Sequence, residues 1–282
     1  MKRASDPLNV AEAIAAWVAE DVGRGDRTTE SVVPPEATGR ARIEAREEAV
    51  LAGLDVASLC FDAAGGGVEV DVLFRDGERV GADETVARLA GSLRSILTGE
   101  RTALNLLARL SGVATITSRY VDAVRSTPVQ IVDTRKTTPG MRTLEKYAVR
   151  VGGGSNHRHG LDDGVLIKDN HIVAAGSIVE AVRRARAGVP HGLRIEVEVT
   201  TLEELDEAVS AGADAVLLDN MSPQQTAAAV GRAGGKVILE SSGGITLDNV
   251  AAYAASGVDL ISIGALTHSA PSIDLALEME KA

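Results

Sequence analysis

The chain has 282 residues, 45% of them hydrophobic, with 40 acidic against 29 basic side chains and a formal net charge of −11 at pH 7. That length suits one large or two ordinary domains, the apolar content excludes a disordered chain, and the acidic balance argues against nucleic acid as the main partner. No apolar run reaches bilayer-spanning length and MKRASDPLNV leads into no signal-peptide core, so the expectation is a cytoplasmic protein with no membrane partner.

NVAEAIAAWVAEDV reads as an amphipathic helix, and GRARIEAREEAVLAG alternates like a strand with one polar and one apolar face. VASLCFDAA follows as a short helix. Its Cys60 is the one cysteine of the chain. It has no internal disulfide partner, and its apolar neighbours favour a buried thiol over a nucleophile. VEVDVLFRDGERVGADETVARLAGS reads as strand, Asp-Gly turn, strand and further extended chain. From Ser95 a long helical pattern runs on, with an interruption expected at Ser111-Gly112, and is suited to bridge two domains. Few aromatics occur, and a core of Ala, Val, Leu and Ile suits helices packed on a buried sheet.

From residue 129 short apolar runs alternate with helices. The strand candidates are VQIVDTR, GVLIKDN, LRIEVEV, AVLLDN, KVILES and LISIGAL, and the helices between them include SIVEAVRRARAG, LEELDEAVSAG, SPQQTAAAVGRAGG and LDNVAAYAASG. Fully apolar strands alternating with helices indicate a parallel sheet, and a repeat of roughly 20 to 25 residues favours a (β/α) barrel over a doubly wound sheet. The strands end in polar residues: Asp133 with Arg135-Lys136, Lys168-Asp169-Asn170, Glu196 and Glu198, Asp219-Asn220, Glu240-Ser241-Ser242, and Gly264. Barrel active sites are built at this C-terminal face from several strands at once.

Arg135 and Lys136 offer a planar fork and a point charge to different anions; the alternative is a surface pair beside a Pro-Gly turn. Glu196 and Glu198 share one strand face. Glu198 lies nearer the tip, and Glu196 is expected one layer deeper, paired with a buried cation such as Lys168. Glu198 and Asp219 at neighbouring tips suit a magnesium–phosphate group or a developing cation, although Asp219 has a competing reading as a helix N-cap. SSGGI and SIGALTHSA follow the last two strands, where glycines let backbone N–H groups converge on a phosphate. Arg101, early in the long helix, reads as surface unless a partner subunit needs it. GGGSNHRHGLDDGVLIKDNH gathers His157, His159 and His171. A metal site would use these with Asp162 or Asp163. Against that, residues 135–171 carry seven Lys or Arg and four Asp or Glu, a local +3 in an acidic protein. Such a focused positive pocket indicates a small, multiply charged anion.

DTRKTTPGMRTLEKYAVRVGGGSNHRHGLDDGVLIKDNHI closely resembles the core of the quinolinate phosphoribosyltransferase family, and GERTALNLLARLSGVAT, IEVEV, VLLDN, SSGGI and ISIGALTHSAP resemble further family segments in order. The resemblance covers the chain from about residue 95 almost to its end, and GDRTTESVV near residue 25 is similar too. It implies an α/β fold: an N-terminal α/β sandwich domain over residues 1–110, completed by 267–282, and an incomplete seven-stranded (β/α) barrel over 111–266. It implies a pentosyl transferase of NAD biosynthesis that joins quinolinate to 5-phosphoribosyl-1-pyrophosphate, with Mg2+, giving nicotinate mononucleotide, pyrophosphate and CO2. It also implies a homodimer with shared active sites, a hexamer (trimer of dimers) being a further assembly within the family.

Carried over residue by residue, Arg135, His157, Arg158 and Lys168 resemble the quinolinate-binding residues, with Arg101 donated by the neighbouring subunit. Lys136 resembles a ligand of the phosphoribosyl donor. Glu198 and Asp219 resemble the carboxylates near the ribose and the magnesium. Ser242, Gly243, Gly244, Gly264 and Ala265 resemble the 5′-phosphate cradle. Lys136, Lys168, Glu198 and Asp219 form the expected catalytic set. His159 and His171 receive no role. The rival readings are transfer to a related acidic ring without decarboxylation, and a metal-dependent barrel lyase or hydrolase.

Overall fold

The computed structural model describes residues 9–280, so residues 1–8 and 281–282 of the expected first domain lie outside the described residues. The chain divides into two compact units. One holds the residues up to Ser118, Thr138–Gly153 and the chain from Ser269; the other holds Arg119–Thr137 and Gly154–His268. In chain order the elements begin α1 (Ala11–Val22), α2 (Arg27–Val32), β1 (Thr38–Ala45), β2 (Ala49–Val50), α3 (Leu54–Ala63), β3 (Val68–Val72), β4 (Arg79–Val80), β5 (Thr85–Ser92) and α4 (Leu93–Val124). Next come β6 (Gln130–Val132), α5 (Arg142–Val151), β7 (Val165–Ile167), α6 (Asp169–Ala175), α7 (Ile178–Gly188), β8 (Ile195–Val199), α8 (Leu202–Ser210) and β9 (Ala215–Asp219). The chain closes with α9 (Pro223–Ala233), β10 (Ile238–Ser242), α10 (Val250–Ala254), β11 (Leu260–Ser262), α11 (Ala265–His268) and β12 (Leu275–Met279).

In the first unit an antiparallel sheet runs in the order β12-β1-β5-β3. The alternation expected of β1 is present: Ala41, Ile43 and Ala45 are buried while the residues between them reach solvent. The Asp76-Gly77 turn does not fold β3 back onto β4. Instead β3 pairs with β5, and β4 pairs with β2. The Asp76 carboxylate is engaged elsewhere, accepting from the backbone N–H of Gly53 at 2.7 Å and from the Tyr147 hydroxyl at 2.6 Å. Cys60 is fully buried, as its neighbours imply, and burial pushes its thiol up to about 12.

The expected interruption at Ser111-Gly112 is absent; α4 passes through both residues. The reason is tertiary. The Ser111 hydroxyl accepts from Ala52 N–H at 3.1 Å, and Thr115, one turn on, accepts from Val50 N–H at 2.9 Å. Gly112 lies against the backbone of Pro271, where a Cβ would stand 1.9 Å from the carbonyl oxygen. The glycine admits a close approach and does not break the helix. Four helices had no expectation: α2, α5, α6 and α11. In α2 the Asp26 side chain caps Thr29 N–H at 3.0 Å. In α5, Glu145 is fully buried and accepts from Arg109 at 2.8 Å, which builds 138–153 into the first unit although the sequence boundaries place it with the barrel.

In the second unit all six strand candidates form one parallel sheet, ordered β6-β11-β10-β9-β8-β7. A single parallel bridge from Val132 to Ser155 stands beyond β6, in the place of a seventh strand. Among the described residues nothing pairs that segment with β7, so the barrel stays incomplete. Helix starts follow their caps: Thr201 with Glu204 on α8, and Ser222 with Gln225 on α9, form reciprocal capping boxes. Among the described residues no helix is long and apolar enough to cross a membrane.

Candidate functional site

Strand alternation fixes which side chains enter the second unit's barrel. Glu196 and Glu198 on β8, Leu217 and Asp219 on β9, Glu240 and Ser242 on β10, and Ser262 on β11 face inward and line its cavities. One cavity, of about 540 Å³, opens at the C-terminal strand ends. A second, of about 570 Å³, opens among the strand beginnings. His157, Arg158 and Glu240 line both, and so form the floor that separates them.

The upper cavity brings the sequence-predicted residues of this unit together. Arg135, Lys136, His157, Arg158 and Lys168 line it with Glu198 and Asp219, and so do Ser242, Gly243, Gly244, Gly264 and Ala265. Arg101 lies on α4 in the first unit; its side chain is 64% exposed and stands 4.0 Å from Glu100. The expected Glu196–Lys168 pair does not form. Lys168 Nζ donates to Glu198, while Glu196, the deeper residue, is 3.0 Å from His157 Nε2. Nor does Asp219 cap α9, since Ser222 holds that position. Asp219 remains on the cavity wall, accepting from the Asn220 side chain at 2.7 Å.

The segment that carries His157 and Arg158 is held by acceptors of the chain. Asp133, fully buried, accepts from His157 N–H at 2.9 Å and from the Asn156 side chain at 2.6 Å. Arg158 donates to the Gly164 carbonyl at 2.9 Å. Burial, and next the nearby Arg135 charge, lower the Arg158 pKa from its ordinary value. A guanidinium made less favourable by burial and by a like charge is stabilised when an anion binds beside it.

His157 Nδ1 accepts from Arg158 N–H at 2.7 Å, which leaves the ring proton on Nε2, facing Glu196 at 3.0 Å and Glu240 at 3.4 Å. The spacing of His157, Glu196 and Glu240 alone would suit a cation. The proton on Nε2 occupies the lone pair a metal needs, and a ligating histidine normally donates from its other nitrogen. The histidine-cluster reading also fails. His159 is exposed, with its backbone tied to Asp163, and His171 Nδ1 accepts from Lys168 N–H at 2.9 Å, closing the start of α6.

At the phosphate end, Gly243 and Gly244 have φ of 92° and 63°, and a Cβ on Gly243 would lie 2.2 Å from Asn220 Oδ1. Gly264 lets the Lys136 stem and the His268 ring approach to 3.0 and 3.2 Å of where a Cβ would be. Thr267 donates to the Lys136 carbonyl at 2.8 Å, fixing that lysine beside the glycine turn. His268, Thr134, Thr246 and Ser262 also line the cavity and were missed by sequence reasoning. His268 was legible, four residues after Gly264 in the quoted turn; Ser262 could have been found two before it, by the same alternation that marks Glu240.

Among the described residues, four buried side-chain atoms lack a hydrogen-bond partner: Arg135 Nε, both carboxyl oxygens of Glu240, and Ser262 Oγ. All belong to residues lining this one cavity. Buried polar groups are normally satisfied, so a cluster of exceptions marks where a polar ligand completes the structure.

The quinolinate phosphoribosyl transferase models for the N-terminal and C-terminal domains match residues 26–111 and 113–278. A probable nicotinate-nucleotide pyrophosphorylase [carboxylating] of Synechocystis sp. is 47% identical over 266 residues, covering 93% of this chain and 90% of its own. The nicotinate-nucleotide pyrophosphorylase [carboxylating] of Mycobacterium leprae is 47% identical, covering 92% and 93%. The solved structure of the nicotinate-nucleotide pyrophosphorylase from Francisella tularensis superposes with a TM-score of 0.93 at 40% identity, covering 99% of each chain. Both halves of the chain, the site-bearing barrel included, thus match one family along nearly their whole length, and the chain belongs to the quinolinate phosphoribosyltransferase family.

Proposed function

We propose that the protein transfers the phosphoribosyl group of 5-phosphoribosyl-1-pyrophosphate to quinolinate with loss of CO2, giving nicotinate mononucleotide for NAD biosynthesis. The observation that carries the reading is the convergence of unsatisfied, buried polar atoms and paired guanidiniums in one cavity of an acidic protein. Family membership supplies the identity of the anion.

Quinolinate has carboxylates on adjacent ring carbons. Arg135 and Arg158 bind them, because a planar fork meets a carboxylate with two hydrogen bonds and keeps its charge when desolvated. His157 acts as a neutral group in this arrangement: it orients Arg158 through its backbone N–H and ties the floor to Glu196. Ser242, Gly243, Gly244, Gly264 and Ala265 form the cradle for the 5′-phosphate, with Lys136 beside it for the donor's remaining charge.

Departure of pyrophosphate leaves positive character on the ribose. Glu198 and Asp219 stabilise it from neighbouring strand tips, and Lys168 holds Glu198 in place. Each of these carboxylates has one oxygen engaged by protein and one to spare, an all-oxygen donor set that fits Mg2+, which keeps waters and substrate phosphates in its shell. Glu198 and Asp219 would hold the ion, which would supply positive charge opposite the leaving pyrophosphate. The ring nitrogen attacks the ribose and becomes cationic, and that cation accepts the electron pair released as CO2 departs. No protein nucleophile is needed.

The reading extends to a cytoplasmic homodimer with shared sites, Arg101 reaching the partner's quinolinate, and to a hexamer as a trimer of dimers. Incubating the protein with quinolinate, 5-phosphoribosyl-1-pyrophosphate and Mg2+ tests the reaction. Stoichiometric nicotinate mononucleotide and CO2 are expected. Turnover of nicotinate without CO2 release would replace this reading with that of the non-decarboxylating rival.

A further inference from the structure

Loss of CO2 leaves a ring carbon that must take up a proton, and no residue assigned so far supplies it. We infer that Glu240, a neutral carboxylic acid at the cavity floor, is the proton donor to that carbon. The inference rests on the decarboxylating reading of the same site.

Glu240 is 1% exposed, lines the cavity, and has neither oxygen hydrogen-bonded. The groups facing it are Glu196 on β8, Asp133 after β6, His157 and the Ser262 hydroxyl on β11. Two further carboxylates and one neutral imidazole therefore surround it. The single His157 Nε2–H lies nearer Glu196, at 3.0 Å, than Glu240, at 3.4 Å. Arg158, on the same floor, adds its positive charge to the side of Glu196. Glu196 thus has the nearer partners for a negative charge, while the His157 ring and the Ser262 hydroxyl offer Glu240 less than burial and the Glu196 charge take away, so Glu240 keeps its proton. Burial first, and then the Glu196 charge, raise it to about 7.

The other acids nearby are committed. Lys168 donates to Glu198, His157 Nδ1 is an acceptor, and its Nε2–H faces Glu196. Glu240 lies two residues before Ser242 on β10, one inward position deeper than the phosphate cradle and on the floor it shares with Arg158. A ring whose carboxylates meet Arg135 and Arg158, and whose nitrogen faces the ribose, presents the carbon between them to this floor. In the step proposed, the bond from that carbon to its carboxylate breaks and CO2 leaves. The electron pair stays on the carbon, beside the cationic nitrogen. The Glu240 O–H bond then breaks with its electrons kept by oxygen, and the proton goes to the carbon. The carboxylate left behind regains a proton from solvent through the lower cavity, which Glu240 also lines.

Wild-type turnover first establishes the reaction, and Glu240→Gln then tests the donor. The variant is expected to hold both substrates with dissociation constants within about threefold of wild type, while kcat falls about 100-fold or more. The wild-type kcat declines as pH rises past neutrality; the variant loses that limb, and Glu240→Asp restores part of the rate together with the limb. A wild type that turns over no quinolinate removes the reaction reading and the donor with it. A Glu240→Gln enzyme with wild-type kcat and pH limb, beside an active wild type, overturns the donor alone, as does a rate loss matched by equal loss of substrate binding. Should the variant not fold, infrared spectra of the wild type carrying 13C-labelled glutamate decide: a protonated-carboxyl band at pH 6 is expected, and its absence overturns the inference.

Discussion

Burial, and then the Arg135 charge, make the charge on Arg158 less favourable, a cost that an arriving dicarboxylate offsets. Replacing Arg158 by Ala removes one fork and leaves a substrate carboxylate unpaired in a desolvated pocket. The expected loss is about 2–3 kcal/mol of quinolinate binding, read as a rise in KM for quinolinate with KM for the phosphoribosyl donor little changed. Arg158→Lys is expected to recover little of it, because an ammonium cannot reproduce the planar fork. Glu240 gives a second prediction, on stability. Its folded pKa, about 7, lies above the ordinary glutamate value of 4.5. The folded state therefore holds this proton more tightly than the unfolded chain. Its contribution is fully present below pH 4.5 and is lost as pH rises through about 7. Across that window the melting temperature of the wild type should fall relative to that of Glu240→Gln. Parallel melting curves for the two proteins would show that Glu240 carries no such proton.

At the scale of elements, what the sequence makes legible is what neighbours in the chain decide. The apolar runs of β8 and β9 are local signals and appear where expected, whereas the cap of α9 is Ser222 and not the Asp219 that the sequence offered. The polar strand tips follow from the same runs, which is why the positions of Glu198, Asp219 and Ser242 are legible in the sequence. The unbroken course of α4 was not legible, because Gly112 answers to Pro271, distant in sequence. The partner of Glu196 was hidden for the same reason: two strands and a loop must meet before His157 reaches it. Gly112→Ala tests this account. Alanine is worth about 1 kcal/mol in a helix interior, yet overpacking costs about 1–3 kcal/mol. Net destabilisation is expected in urea unfolding; a stabilised variant would mean that α4 tolerates a side chain at that approach.

At the scale of the whole molecule, Arg101 is the one assigned cation that does not line the cavity. Its role in the proposed dimer predicts complementation. Arg101→Ala and Glu198→Ala are each expected to be inactive, and a mixture that exchanges subunits should regain part of the activity, because some interfaces then join two intact halves of a site. No recovery in a mixture shown by mass spectrometry to hold mixed dimers would exclude a shared site. The unsatisfied atoms of Arg135, Glu240 and Ser262 have an evolutionary consequence as well. A fold selected for thermal robustness alone would replace them with apolar residues of similar size, since each buried group without a partner opposes folding. Screens for heat-resistant variants should accordingly enrich substitutions at these positions, and the survivors should be the most robust and the least active proteins in the library.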